Sequence, residues 1–242
     1  MFKEGILTPL LEIKNLTKGF TLHHQGISIR ACEMIDLTLQ QGEFVGITGR
    51  SGSGKSTILK LIYRSYLPQS GDILYNSKSF GMINLCSADE QEILHLRRYE
   101  IGYVSQFLKV IPRTTARQIV EKAALDAGIG RDSARQQAED LLQHFELDPE
   151  LWDTFPNTFS GGERLRLGIA KAMISQPRLL LLDEPTASLD AHSKLLVRQL
   201  IERLKNQGTT MLGIFHDLEF MDGLCDREYP MHMGKIEQAY VG

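Results

Sequence analysis

Short apolar runs separated by polar turns dominate the first hundred residues. LLEIKNLTKGFTL and MIDLTLQQGEFVGIT read as extended, β-rich segments, with Gln41–Gly42 marking a turn. STILKLIYRSY, Ser56 to Tyr66, has helical spacing and is expected to run to near Pro68. SGDILYN then resumes extended structure, SADEQEILHLRRYE reads as a helix, and IGYVSQ returns to a strand ending near Gln106. From about Leu108 to Phe159 the period changes. TARQIVEKAALDAG and DSARQQAEDLLQHFEL carry helical apolar spacing, broken at Gly128–Gly130 and Pro149, as in an inserted α-helical lobe. GGERLRLGIAKAMISQ follows as a helix that stops before Pro177. RLLLLD and TTMLGIF are buried-strand runs, separated by a helix from Ala191 to Asn206 that ends at Gly208. Helices alternating with buried strands predict an α/β fold with a mainly parallel sheet, right-handed crossovers and an antiparallel β part at the N-terminus.

Composition adds bounds. The 242 residues suffice for one domain with an inserted lobe: a core of about 1–107 and 160–242, and a helical lobe of about 108–159. The 42 % hydrophobic and 24 % charged contents are ordinary for a globular protein, and a net charge of −3 gives no reason to expect a nucleic-acid partner. Cys32, Cys86 and Cys225 lack metal-ligand spacing, so each is expected as a small buried side chain in a reducing, cytoplasmic setting. MFKEGILTPLLEIK has glutamates and a proline in its apolar run, so no signal peptide is expected. No run of about 18 apolar residues occurs, so a membrane would be reached only through a partner.

The chemistry sits in three segments. GRSGSGKST, Gly49 to Thr57, fits G-x-x-x-x-G-K-[ST] between a strand and a helix. A chance match in a chain this long is on the order of one per cent. Such a loop must aim backbone N–H groups at one phosphate chain, which glycine permits because no Cβ intervenes. Gly49, Arg50, Ser51, Gly52, Ser53, Gly54, Lys55, Ser56 and Thr57 are therefore the candidate ATP cradle. Lys55 supplies charge for the phosphates, Ser56 a hydroxyl for Mg²⁺, and a helix dipole stands behind. LLLLDEPTASLD delivers two carboxylates at a strand end: Asp183 to hold Mg²⁺ and Glu184 to polarise the attacking water. SGGE, Ser160 to Glu163, opens a helix with a hydroxyl and two glycine amides, a second anion receptor. One chain needs one cradle for one triphosphate, so Ser160, Gly161 and Gly162 are expected to meet the γ-phosphate bound to another subunit. Gln106, ending a strand, is placed to reach Mg²⁺ and the nucleophilic water, and His216, following MLGIF, to donate to the γ-phosphate.

P-loop, Gln106, SGGE, LLLLDEP, SLD and His216, in this order and spacing, resemble the ABC-type ATPase subunits over essentially the whole chain. That resemblance implies that Phe20 stacks on adenine and that Gln106 couples the sheet to the helical lobe. It further implies that Asp190 crosses a dimer interface and that His216 is the switch histidine. Phe159, Glu163 and Lys171 depart from the usual leucine, glutamine and arginine. SQFLKVIPRTTA, IYRSYLPQSGDI, LWDTFPNTFSGGE and GIFHD also resemble the L-type ATP-binding subunits of the bacterial phosphonate carbon–phosphorus lyase system. This narrower likeness implies a phosphonate-processing complex, associated with transfer of ribose triphosphate from ATP to alkylphosphonate. The expectation is thus an ATPase closing as a homo- or hetero-dimer around Mg·ATP. Two readings stand beside the phosphonate one: a membrane transporter's motor working through a permease, and a structural ATP-binding subunit with little turnover.

Overall fold

The computed structural model describes residues 8–22, 27–105, 112–186, 189–237 and 240–241. Its elements are β1 (Leu11–Leu22), β2 (Ile27–Leu39), β3 (Phe44–Thr48), α1 (Lys55–Ile62), β4 (Ser70–Ser77), β5 (Gly81–Asn84), α2 (Glu90–Tyr99) and β6 (Ile101–Ser105). Then come α3 (Ala116–Asp126), α4 (Arg131–His144), two 3₁₀ turns, α5 (Gly161–Met173), β7 (Leu179–Asp183), α6 (Ala191–Asn206) and β8 (Thr210–Ile214). A short α7 (Leu218–Met221) leads into β9 (Arg227–His232), β10 (Lys235–Ile236) and β11 (Tyr240–Val241).

Two sheets form. An antiparallel one has the order β2-β1-β4-β5, and a larger one has the order β10-β9-β3-β8-β7-β6, with β11 on β9. The five strands β9-β3-β8-β7-β6 of the larger sheet run parallel, the architecture expected from the alternating pattern. Strand alternation divides the core between its two faces. Leu179 and Leu181 join the cluster with α1 and the antiparallel strands, whereas Leu180 and Leu182 join the cluster with α3 to α6. A run such as LLLLD is apolar at every position because both faces are covered.

The differences from the sequence reading are local. The P-loop helix stops at Ile62 instead of running on towards Pro68, because Tyr63 caps it and Arg64 turns into the left-handed region at φ 63°. ISIRACE extends β2 upstream, and GMIN forms β5; neither shows clean alternation. Cys32 and Cys225 are buried and Cys86 is only half-buried. Burial raises the Cys32 thiol pKa to about 12, as befits an inert packing group.

Candidate active site

Parallel register brings the chemical residues to one sheet edge. Ile47 lies opposite Ile214, Ile214 opposite Asp183, and Asp183 opposite Ser105. The P-loop after β3, the acids at the end of β7, His216 after β8 and the end of β6 therefore share the strands' C-terminal side, where ligands of such sheets bind.

The loop's shape depends on glycine. Gly49 has φ 138° and Gly54 φ 108°; a Cβ would come within 2.2 Å of Met231 O at the first and 1.8 Å of Ala31 O at the second. Gly52, at φ 77°, faces open space. The hydroxyl of Ser53 is buried with no hydrogen-bond partner among the described residues. Lys55 is 3 % exposed, and its ammonium donates to Gly49 O at 2.7 Å and Arg50 O at 2.9 Å. Burial lowers the pKa of Lys55, opposed by the charges of Glu184 and Asp183. A cradle that a Cβ would fill, an orphaned hydroxyl and a desolvated cation suit a phosphate chain.

Ser56 Oγ donates to Asp183 Oδ1 at 2.8 Å, and Tyr103 OH donates to Asp183 Oδ2 at 2.5 Å. One hydroxyl and one carboxylate in contact are hard oxygen donors suited to Mg²⁺, which keeps several waters of its own. Tyr103 was not anticipated. It is one more aromatic in a strand until pairing of β6 with β7 sets its hydroxyl against a carboxylate 80 positions away.

Glu184 adopts φ 52°, a left-handed conformation costing a non-glycine residue about 1–2 kcal/mol. That turn aims the carboxylate at His216, whose Nε2 lies 2.7 Å from Glu184 Oε1. With the carboxylate ionised, Nε2 carries the proton and donates. His216, expected on phosphate, thus stands on the expected base. Gln106 and Ser188 lie outside the described residues.

The SGGE turn belongs to a different neighbourhood. Ser160 caps α5 through a capping box: its Oγ accepts from Glu163 N at 3.3 Å and Glu163 Oε2 accepts from Ser160 N at 2.7 Å. The acid that replaces the usual glutamine therefore serves its own helix. Ser160 and Gly161 are exposed, and among the described residues no hydrogen bond or ion pair joins this turn to the Gly49–Thr57 loop. A Cβ on buried Gly162 would sit 3.3 Å from Ser193 Oγ, and Ser193 is bonded through N and Oγ to the exposed Asp190 carboxylate at 2.8 and 2.9 Å. Those bonds hold the Asp190 carboxyl below its usual range. Phe20 lies on β1, edge-on to Tyr66 at 5.3 Å, with Lys18 Nζ 5.2 Å from its ring centre.

The ABC transporter family matches residues 32–187. The putative hemin import ATP-binding protein HrtA of Staphylococcus haemolyticus is 36 % identical over 229 residues, covering 94 % of this chain and 99 % of its own. The lipoprotein-releasing system ATP-binding protein LolD of Saccharophagus degradans is 35 % identical, over 87 % of this chain and 90 % of its own. The macrolide export ATP-binding/permease protein MacB of Wolinella succinogenes is 36 % identical over 86 % of this chain, which spans only 31 % of that longer protein. Among solved structures, the dimeric ATP-binding cassette MJ0796, in a post-hydrolysis state bound to ADP and Pi, aligns with a TM-score of 0.86. It is 30 % identical, over 96 % of this chain and 98 % of its own. Site geometry and relatives agree: the chain belongs to the ABC transporter family, and it is a P-loop ATPase that hydrolyses ATP with Mg²⁺.

Proposed function

We propose that the chain is the ATP-driven half of a two-subunit clamp, in which each P-loop shares its nucleotide with the partner's Ser160–Gly162 turn. The observation that carries this reading is the separation of two anion receptors. Lys55, Ser56, Asp183, Glu184 and His216 gather at one sheet edge, while Ser160 and Gly161 of the capped turn stand exposed and, among the described residues, no hydrogen bond joins that turn to them. In this reading Lys55 and the loop amides bind phosphate, Ser56 and Asp183 hold Mg²⁺, and Glu184 activates water while His216 orients it. Phe20 lies against the base, and Asp190 crosses the seam. Driving such a switch from 1:99 to 99:1 takes roughly 5.5 kcal/mol of differential binding. A few charge-assisted contacts to the terminal phosphate, at about 1.5–3 kcal/mol each, suffice.

The partner driven by the clamp is, in our reading, a membrane permease, with the cassette on its cytoplasmic face. Relatives named for hemin import, lipoprotein release and macrolide export support it. Similar identity to proteins with such different cargoes reflects the shared engine and leaves the cargo open. A second reading, a phosphonate-processing complex, is supported by SQFLKVIPRTTA, IYRSYLPQSGDI and LWDTFPNTFSGGE, which lie largely outside the nucleotide motifs. None of the relatives named here is a phosphonate protein. Affinity capture of the full chain from detergent-solubilised, phosphate-starved cells decides between them. Recovery of a polytopic permease supports the first, and recovery of carbon–phosphorus lyase subunits the second.

A further inference from the structure

One face of α6 grips the segment that follows His216. Lys194 Nζ lies 2.6 Å from Asp217 Oδ2. Arg198 donates to Phe220 O at 2.5 Å and to Asp222 O at 2.6 Å. Lys205 donates to Leu224 O at 2.8 Å and pairs with Asp226 at the same distance. Positions 194, 198 and 205 recur at helical spacing, so one stripe of cations holds the chain from Asp217 to Asp226. Asp190 caps the start of α6, its carbonyl accepting from Lys194 N at 2.9 Å, and the helix's first turn abuts Gly162 through Ser193. A single helix therefore touches both the serine–glycine turn and the His216 segment.

Only one of the three cations reaches the residue next to His216. Asp217 is held from two sides, by Lys194 on Oδ2 and by Phe220 N at 3.1 Å on Oδ1. His216 itself, with its side chain 37 % exposed, has Glu184 as its polar partner among the described residues. We propose that Lys194 is a positioning residue for the Glu184–His216 pair: its ion pair with Asp217 sets where His216 stands, and α6 links that placement to Asp190 and the serine–glycine turn. The inference rests on the roles proposed above for Glu184 and His216. A partly exposed ion pair adds little to global stability, so the signature of Lys194 is geometric.

The test compares Lys194→Met, Lys194→Arg and the exchange Lys194→Asp/Asp217→Lys in the full chain, with Glu184→Gln as reference. For Lys194→Met we expect kcat to fall roughly ten- to a hundredfold, since a misplacement of about 1 Å can cost about a hundredfold. Its ATP KM should stay within about twofold of wild type, its thermal midpoint should be unchanged, and amide exchange at 216–221 should be faster. Lys194→Arg should restore most of kcat, and the exchange should recover part of it. Unchanged kcat in Lys194→Met, or a loss that tracks the thermal midpoint and that arginine does not restore, overturns the proposal. If Glu184→Gln hydrolyses ATP like wild type, the parent assignment fails instead, whatever Lys194 does.

Discussion

Gly52 and Gly54 occupy the same loop with positive φ yet face different surroundings, and they separate conformational cost from steric cost. Alanine at Gly52 meets nothing within 4 Å, so it should cost only the left-handed penalty of about 1–2 kcal/mol. Alanine at Gly54 drives a Cβ to 1.8 Å from a backbone carbonyl that cannot rotate away. Thermal unfolding should show Gly54→Ala as clearly the less stable, with nucleotide binding abolished; equal midpoints would contradict the loop geometry. Glu184→Gln removes the proposed base while the amide can still meet His216. Hydrolysis should drop by 10²–10⁴-fold, the usual worth of general base catalysis, with nucleotide affinity retained. Steady-state turnover beside equilibrium binding checks both halves.

At the scale of elements, Glu100 joins three of them. It caps the C-terminus of α2, its carbonyl accepts from Leu179 N at the start of β7, and its carboxylate pins the turn after β4. Ser77 Oγ donates to it at 2.8 Å, Lys78 N at 3.0 Å and Ser79 N at 3.1 Å. Burial pushes its pKa up, but these donors together outweigh burial and leave it below the usual range of a glutamate. A depressed folded-state pKa gives stability that is fully present above the unfolded value and fades as pH falls through the folded one. Glu100→Gln leaves at least one of these donors poorly satisfied and should cost about 1–3 kcal/mol at pH 7. At about 2–4 °C per kcal/mol for a chain of this size, that is visible in a melting curve. The gap between variant and wild type should close below the pH of ordinary carboxylate titration; a gap independent of pH would deny the carboxylate its role.

The whole molecule is expected to work in pairs. Glu184→Gln with Mg·ATP should sediment as a closed dimer, whereas Lys55→Ala should stay monomeric under the same conditions because it lacks the cation proposed to meet the phosphates. Analytical ultracentrifugation with and without nucleotide distinguishes the two. An ATP-independent dimer, or none with Glu184→Gln, would count against the shared-nucleotide clamp. Among the described residues no helix is long and apolar enough to cross a membrane.

Much of this protein is written locally. Glycine spacing, a lysine and serine at a helix start, and apolar runs ending in acids depend on neighbours a few residues apart, so GRSGSGKST, SGGE and LLLLDE announce their structures unaided. The alternation of buried strands and helices fixes the parallel core for the same reason. What folding alone decided are the pairings across long separations. Tyr103 reaches Asp183, Lys194 reaches Asp217, and the Glu43 carboxylate binds the Arg227 guanidinium, at 2.8 Å from Nη2, 184 positions away. Each needs a particular strand register or helix face, and side-chain chemistry in one dimension is the same whichever partner it finds. The left-handed turn at Glu184 is of that kind too: nothing in its sequence favours the strain, and the bond to His216 exists only once β7 and β8 lie side by side.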